Sequence, residues 1–470
     1  MKKIFEQLLE NIPDYQEFLT VDEMDESSRA LVRQFPDIAS LFEIGKTREG
    51  HPLYCLKIGS GSKNALMFGL PHPNEPIGAM LLEYFSWQLA RNEPLRRELD
   101  YTWYIVKAWD ADGAKKNEGW FKGPFTITNY MRHFFRPAGF EQVDWTFPID
   151  YKELHFHDSL PETTAMMKLI DEVKPRFIYS LHNAGFGGAY WYITWPLPEI
   201  HKALHAVPEK YHVPIHMGEP ESPACEAYDT AIYANMGVAA EYDFREKYGD
   251  VDMKEVARRF STGDCSASYA RERYGSFTLL TELPYFYDPR INDCSPSDMT
   301  RRQAVLQKLE DDLEMNREIR GILEISQAHL APDNHYLLAV ESFTRHTGDE
   351  ESAEKKRVEA DPVYEKAATV AEKFDNLLIS KFYKAIVYAM LLRANESELA
   401  LMQEKGEGDT PKREALRKGY EKSLEAFRKV MAFLEGNMHY QVVPIKNLVG
   451  VQLECGLLVA DYLREHPESM

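Results

Sequence analysis

The stretch ALMFGLPHPNEPIGAMLLEYFSWQLA, residues 65–90, combines a short apolar strand, a proline-rich turn and an amphipathic helix. Other short apolar runs, rich in aromatic and β-branched residues and ended by Gly, Pro, Asn or Asp, indicate further strands. They are residues 52–59, 101–108, 176–182, 189–194 and 276–283. Several are continuous rather than alternating, which is typical of strands buried on both faces. Because helical patterns at 77–90 and 162–173 lie between them, the sequence predicts an α/β sheet with helices on both faces.

The sequence after about Pro296 is helical in pattern, with long amphipathic segments separated by Gly and Pro. These segments are residues 362–404, 412–435 and 444–464. A charged, apolar-poor stretch at 345–361 predicts an exposed linker. The sequence therefore predicts an N-terminal helical segment (1–40), an α/β domain (41–330) and a helical C-terminal domain (331–470).

The composition excludes several classes of protein. Lysine and arginine number 55 against 75 aspartates and glutamates, a formal net charge of −20, which argues against nucleic acid and anionic membrane as partners. The five cysteines are scattered and form no CxxC pair, which favours a reducing compartment. We identify no signal peptide and no apolar run long enough to span a membrane. A cytoplasmic location is therefore expected.

Three candidate metal ligands follow strands of the predicted sheet. His72 and Glu75 lie in the turn after the first strand quoted above, and His182 ends the strand RFIYSLH. Open α/β sheets place ligand sites at the carboxyl ends of their strands, and a catalytic zinc takes three protein ligands. A fourth polar residue, Glu282, lies near the end of the apolar run SFTLLTEL, where burying a carboxylate is costly without a partner. Unrelated polar residues at strand ends remain the alternative.

The order of these motifs resembles the M14 family of zinc carboxypeptidases. The segments that carry the resemblance are HPNE, then PETT…IYSLHNAG, then SFTLLTEL, within residues 40–295. It implies a mixed central sheet, a carboxypeptidase-like catalytic domain at 41–330, and one zinc ion per chain held by His72, Glu75 and His182. It also implies that Glu282 is the general base that takes a proton from a water molecule activated by zinc. The oxyanion of the reaction requires a cation, for which Arg136 is the candidate.

The chain departs from the family pattern where the family grips a terminal carboxylate. The expected Asn-Arg pair is absent, and Asp144 is followed by Trp145 and Thr146. A bidentate arginine clamp is not replaced by Trp and Thr. From the same comparison we predict four substrate contacts: Arg132, Asp144, Trp145 and Tyr269. Arg132 is also the alternative candidate for the cation that stabilises the oxyanion. The aromatic run after His182, with Trp191, Tyr192 and Trp195, either forms a pocket wall or belongs to the core.

Three functions are compatible with these features. The first is a metallocarboxypeptidase-like peptidase, the second a deacylase or amidase that acts on N-acyl amino acids or other small amides, and the third a zinc- or peptide-binding scaffold without catalysis. Loss of the clamp favours the second, and the retained motifs argue against the third. The expected partner is a peptide or small amide, and the C-terminal helices either fold over the cleft or form a homo-oligomer.

Overall fold

The computed structural model describes residues 2–249, 251–345 and 348–467. Its strands are β1 (Ala39–Lys46), β2 (Pro52–Ile58), β3 (Lys63–Phe68), β4 (Tyr101–Val106), β5 (Ile149–Tyr151), β6 (Leu154–Phe156), β7 (Phe177–Leu181), β8 (Tyr190–Ile193), β9 (Ala227–Asp229), β10 (Ile232–Ala234), β11 (Phe277–Glu282), β12 (Phe286–Tyr287), β13 (Pro296–Thr300), β14 (Ala367–Thr369) and β15 (Gln441–Val442).

Its α-helices are α1 (Lys3–Glu10), α2 (Val21–Gln34), α3 (Ile77–Arg91), α4 (Glu93–Leu99), α5 (Ala111–Phe121), α6 (Ile127–His133), α7 (Pro161–Val173), α8 (Pro198–Lys210), α9 (Val238–Tyr248), α10 (Met253–Arg259), α11 (Ser266–Tyr274), α12 (Arg301–Leu323), α13 (His335–Phe343), α14 (Asp349–Ala360), α15 (Val370–Phe374), α16 (Ser380–Glu404), α17 (Pro411–Asn437) and α18 (Ile445–Glu465). A π-helical turn at Asp375–Ile379 joins α15 to α16.

A mixed nine-stranded sheet forms the centre of the fold, in the order β1-β2-β4-β3-β7-β11-β8-β10-β9. β3 runs parallel to both β4 and β7, and β7 runs parallel to β11. β8 is antiparallel to β11, and β1 and β2 form an antiparallel edge. Helices cover both faces, so the predicted α/β class with a mixed central sheet is confirmed, as is the helical C-terminal region.

Alternate residues of the central strands enter two separate cores, one on each face of the sheet. On one face Leu66, Phe68 and Ile178 pack in a cluster with side chains of α7. On the other face Met67 and Tyr179 belong to the main core, which α3 and α18 complete. Burial on both faces explains why these strands are continuously apolar in sequence.

The last helix, α18, is part of the α/β layer and not of a separate bundle. It packs on α3, α8, β7 and β11. The hydroxyl of Tyr179 donates to the main-chain carbonyl of Gln452 at 2.7 Å, and that of Tyr101 to the carbonyl of Ala460 at 3.0 Å. A Cβ atom at Gly456 would lie 2.5 Å from the ring of Tyr179, so this residue allows the helix to approach the sheet closely. α16 and α17 instead pack on each other, and the domain boundary at residue 330 stays a prediction.

The charged stretch at 345–361 is mostly a helix and not the exposed linker that its composition predicts. Residues 349–360 form α14, in which Ala353 and Val358 are buried. This helix packs on α9 and α12, and Arg357 donates a hydrogen bond to the main-chain carbonyl of Pro223, so both apolar and charged side chains fix it. Residues 346 and 347 lie outside the described residues. Among the helices of the described chain, none is long and apolar enough to cross a membrane.

Candidate metal centre and catalytic cleft

Three neighbouring parallel strands bring together residues that are far apart in sequence. β3, β7 and β11 lie side by side, so their carboxyl ends meet at one edge of the sheet. His72 lies in the turn after β3, His182 directly follows β7, and Glu282 is the last residue of β11. The topology therefore gathers the predicted ligands and the predicted base, as ligand sites of open α/β sheets require.

The turn that carries His72 and Glu75 is fixed against the loop after β7. The side-chain carbonyl of Asn183 accepts hydrogen bonds from the main-chain N–H of Ile77 at 3.0 Å and from the hydroxyl of Tyr285 at 3.1 Å. A Cβ atom at Gly78 would lie 2.3 Å from that of Leu181, so glycine permits α3 to begin directly against β7. The two ligand-bearing segments are thus held in one rigid unit.

The side chains of His72, Glu75 and His182 converge and are all buried. His72 Nδ1 lies 3.0 Å from Glu75 Oε1, and His182 Nδ1 lies 3.1 Å from Glu75 Oε2. One ligand atom from each residue falls within 4.8 Å of the others. A zinc ion bound at ~2.0–2.2 Å to imidazole nitrogens and a carboxylate oxygen fits such a set, and leaves a fourth position open.

The surroundings of these residues set the protonation states that metal ligands need. Burial and the charge of Arg136 lower the pKa of His72 to about 3, so its imidazole is neutral near pH 7. Burial acts against ionisation of Glu75, but the two imidazoles outweigh it and hold the pKa of Glu75 well below its usual range. His182 Nε2 lies 2.8 Å from Ser180 Oγ, a contact that orients the ring with Nδ1 toward Glu75.

Glu282 lies beside this group with one oxygen free. Its Oε1 is 3.6 Å from His182 Nδ1, while its buried Oε2 has no hydrogen-bond partner in the described protein. Burial, reinforced by the carboxylates of Glu75 and Glu221, raises the pKa of Glu282 well above its usual range. The side chain is therefore able to hold a proton within the cleft.

Arg136 supplies a cation at the same centre. Its Nη1 lies 3.3 Å from Glu75 Oε1, and its Nε donates to Gln142 Oε1 at 3.0 Å. The guanidinium carbon also lies 5.2 Å from the ring centre of Trp145, within cation–π range. These contacts hold the guanidinium at the wall of the cleft.

The segment 144–146 contains nothing equivalent to a carboxylate clamp. Asp144 is buried, accepts a hydrogen bond from the N–H of Ser266 at 2.7 Å, and has a pKa raised by burial to about 6. Trp145 lines the cleft with its ring 5.4 Å from that of His72. Thr146 is fully buried against Thr163. Asp144 and Trp145 thus lie at the cleft, but neither offers a cation.

The structure does not bring the other two predicted substrate contacts to the cleft. Arg132 forms an ion pair with Glu396 of α16, at 2.7 Å. The hydroxyl of Tyr269 donates to Asp171, and its ring belongs to the core on the α7 face of the sheet. Both are corrections to the sequence analysis. Arg132 points toward α16, which follows the part of the chain that resembles the family. Helix α11 directs Tyr269 away from the candidate metal centre and into the core.

The cleft has a volume of about 660 Å³. Of the aromatic run that the sequence offered as a pocket wall or as core, Tyr192 lines the cleft and Trp191 and Trp195 do not, while Tyr190, Tyr233, Tyr383 and Glu221 were missed. Tyr190, Tyr192 and Tyr233 form one side, and Tyr383 of α16 lines it from the C-terminal region. Glu221, from the loop between α8 and β9, faces the same space. The signal for Tyr190 and Tyr192 was their two-residue spacing, which places both on one face of β8 while Trp191 is buried on the other.

Residues 24–254 match the model of a protein family described as zinc carboxypeptidase. This match confirms the resemblance inferred from the sequence, although it ends before Glu282. No curated protein matches the sequence.

Solved structures with a related fold include carboxypeptidase A from Helicoverpa armigera, at 16% identity over 60% of this chain and 71% of that one, with a TM-score of 0.36. Bovine thrombin-activatable fibrinolysis inhibitor, in complex with tick carboxypeptidase inhibitor, matches at 13% identity over 57% of this chain and 86% of that one, with a TM-score of 0.36. A metallo-carboxypeptidase from Burkholderia cenocepacia matches at 16% identity over 57% of this chain and 60% of that one, with a TM-score of 0.32. Similarities this remote transfer no residue roles to this chain.

Proposed function

We propose, from the premise that residues 24–254 form a zinc carboxypeptidase domain, that the protein is a zinc-dependent hydrolase of peptide or amide bonds. The observation that carries the proposal is the convergence of two imidazole Nδ1 atoms on the two oxygens of Glu75, with the carboxylate of Glu282 alongside. His72, Glu75 and His182 would hold the ion. Zinc in such a site supplies Lewis acidity, which lowers the pKa of a water molecule toward ~7 and polarises a carbonyl group.

Glu282 has the position of the general base. Its Oε2 is buried and unpartnered, so it is free to accept a proton from the attacking water. The carboxylic acid formed in this way would then pass the proton to the leaving nitrogen. The neighbouring ring of His182 limits where the carboxylate can move, because the two side chains lie 3.6 Å apart.

Arg136 has the position to stabilise the oxyanion that forms when water adds to the carbonyl. A guanidinium fixed by Gln142 and Glu75 needs little reorganisation during the reaction, and such preorganised charge is a large term in catalysis. Removing one oxyanion donor typically costs about 10²–10³ in kcat. Replacing Arg136 by Lys would keep the charge but lose the planar contacts.

A second candidate, a deacylase or amidase that acts on N-acyl amino acids or other small amides, is favoured by the missing clamp. Arg136 is the single arginine among the described residues that line the cleft, and it is already bound to Glu75. Trp145 and Thr146 offer no charge to a terminal carboxylate. Substrates that lack a free terminal carboxylate are therefore compatible with this cleft.

The test is hydrolysis of short N-acylated peptides and N-acetyl amino acids by zinc-loaded protein. We expect Glu282→Gln to bind zinc as the native chain does and to lower kcat about 10²-fold or more. Glu272→Gln, which removes an exposed carboxylate of α11, serves as the matched control. If Glu282→Gln retains zinc and its turnover is unchanged, Glu282 has no part in the mechanism. If the zinc-loaded native protein binds these compounds but hydrolyses none of them, a scaffold role is favoured.

A further inference from the structure

Glu221 is a carboxylate that two tyrosines hold in the catalytic cleft. The hydroxyl of Tyr190 donates to its Oε1 at 2.6 Å and that of Tyr192 to its Oε2 at 3.0 Å. Both oxygens are thereby oriented, although the side chain stays exposed to the space of the cleft. A carboxylate fixed in this way presents its charge in one direction.

The tyrosines connect Glu221 to the reacting centre. Tyr190 is the antiparallel partner of Glu282 across β8 and β11, and directly opposed residues have Cβ atoms about 4.5–5.5 Å apart. Tyr192 lies two residues further along the same face. Glu282 itself is 6% exposed and leaves its Oε2 unpartnered on this face. A group bound at Glu221 therefore lies close to the bond that is cleaved.

Glu221 lacks the cationic partner that neighbouring carboxylates have. Glu219 pairs with Arg301 at 2.5 Å, and Asp375 lies 3.3 Å from His216 Nε2. Among the residues that the structure describes, the hydrogen-bond partners of Glu221 are the two tyrosine hydroxyls, and the imidazole of His216, whose pKa Glu221 helps to raise, pairs with Asp375. Its charge is left for a group that enters the cleft.

The rest of the cleft also favours a cation. Eight carboxyl side chains line it against three from lysine and arginine, so acidic groups outnumber basic ones even where the buried Glu282 holds a proton. The rings of Tyr190, Tyr192 and Tyr233 lie together beside Glu221, with centres 5.5–6.4 Å apart. Aromatic faces attract ammonium and guanidinium groups.

We infer that Glu221, with Tyr190 and Tyr192, binds an ammonium or guanidinium group of the substrate, so that the preferred substrates are peptides or amides with a basic group near the cleaved bond. This inference rests on the proposed hydrolase function. It makes Glu221 a specificity-determining residue and leaves the reaction itself to the metal centre, Glu282 and Arg136.

The test compares two probes of similar shape that differ in charge, n-butylguanidinium and n-butylurea, by titration calorimetry on the zinc-loaded protein. We expect the native chain to bind the cation about tenfold more tightly, and Glu221→Gln to bind both probes equally. Tyr192→Phe, which removes the donor to Oε2, should reduce the preference by about a factor of three. Glu226→Gln removes an exposed carboxylate of the same loop outside the cleft and should keep the full preference.

Equal binding of the two probes by the native chain, or a preference that survives in Glu221→Gln, would overturn the inference. The zinc content of each variant verifies that the centre is intact. Because the probes are not hydrolysed, the result is separate from the proposed function. If the protein hydrolyses substrates but does not prefer n-butylguanidinium, only the cation site is excluded. If it prefers n-butylguanidinium but hydrolyses no substrate, the proposed function is excluded and the cation site remains.

Discussion

Gln452 of α18 donates a hydrogen bond through its Nε2 to the main-chain carbonyl of His182, at 2.9 Å. The side chain of Gln452 is fully buried, and so is the histidine that it contacts. Gln452 lies 270 residues after His182, so a helix distant in sequence supports the end of β7 that carries a candidate metal ligand. The candidate metal centre is therefore in contact with the C-terminal region, although the family match ends at residue 254.

Replacing Gln452 by Leu should remove this support while keeping the volume of the side chain. We expect a loss of about 1 kcal/mol in the free energy of unfolding, the net value of a typical hydrogen bond, and weaker zinc binding. Urea unfolding and a zinc titration measure the two effects. Gln403→Leu, on the exposed side of α16, is the control. Unchanged zinc affinity in Gln452→Leu would show that the contact is structural only.

A pair of glycine substitutions tests whether α18 is part of the α/β layer. Gly456→Ala places a Cβ 2.5 Å from the buried ring of Tyr179, so it should destabilise the protein by about 1–3 kcal/mol in spite of the better helix propensity of alanine. Gly436→Ala, where no atom lies within 4 Å of the new Cβ, should instead stabilise it by roughly 0.5–1 kcal/mol. Equal effects of the two substitutions in thermal unfolding would contradict the close packing of α18.

The pH dependence of stability should include a contribution from His216. Burial alone would lower the pKa of His216, but the Asp375 carboxylate, 3.3 Å from Nε2, and the more distant Glu221 outweigh burial and raise it. Protonated His216 therefore stabilises the folded chain fully below about pH 6.5, the pKa of histidine in the unfolded chain. This stabilisation is lost as the pH rises through the higher pKa of His216 in the folded chain. Each unit between the two pKa values corresponds to about 1.4 kcal/mol.

We expect the free energy of unfolding to fall more between pH 6 and pH 9 in the native chain than in His216→Gln. Asp375→Asn should reduce the same slope, because it removes the carboxylate that holds the proton. Denaturant unfolding at a series of pH values provides the measurement. Parallel curves for the native chain and both variants would exclude this pair as a source of pH dependence.

The missing clamp predicts that a free carboxyl terminus is not required. An N-acylated dipeptide and its C-terminal amide should be hydrolysed at the internal bond with kcat/KM values within about threefold of each other. Among the described residues of the cleft, the one arginine already pairs with Glu75, so it is not free to bind a terminal carboxylate. Chromatography of the products identifies the bond that is cleaved. Loss of activity by 10²-fold or more on amidation would instead indicate strict carboxypeptidase action.

The convergence of the candidate ligands was predictable because three residues of the site share one position relative to their strands. His72, His182 and Glu282 each lie at the carboxyl end of an apolar run, and the parallel order of β3, β7 and β11 makes that position a common edge. The ligand roles also needed the family resemblance, since the motif of a histidine and a glutamate three residues apart is weak by itself. The sheet followed from the continuous apolar strands.

The remainder of the cleft depends on tertiary contacts that no local pattern shows. Glu221 lies in an irregular loop, and Tyr383 of α16 lines the cleft, where its hydroxyl donates to the main-chain carbonyl of Phe186 at 3.3 Å. Tyr269 was expected at the cleft from its sequence position, but the direction of α11 places it in the core beside Phe147. The docking of α18 is likewise a long-range effect, since its amphipathic pattern fits a helical bundle equally well.

Metal analysis of the purified protein shows whether the chain holds a zinc ion at His72, Glu75 and His182. We predict about one zinc per chain in the native protein, loss of that zinc in His72→Ala, and retention in His155→Ala, which removes an exposed histidine of β6. The first two results would establish the centre formed by His72, Glu75 and His182. A correctly folded native chain that binds no zinc when the metal is supplied in excess would contradict the account.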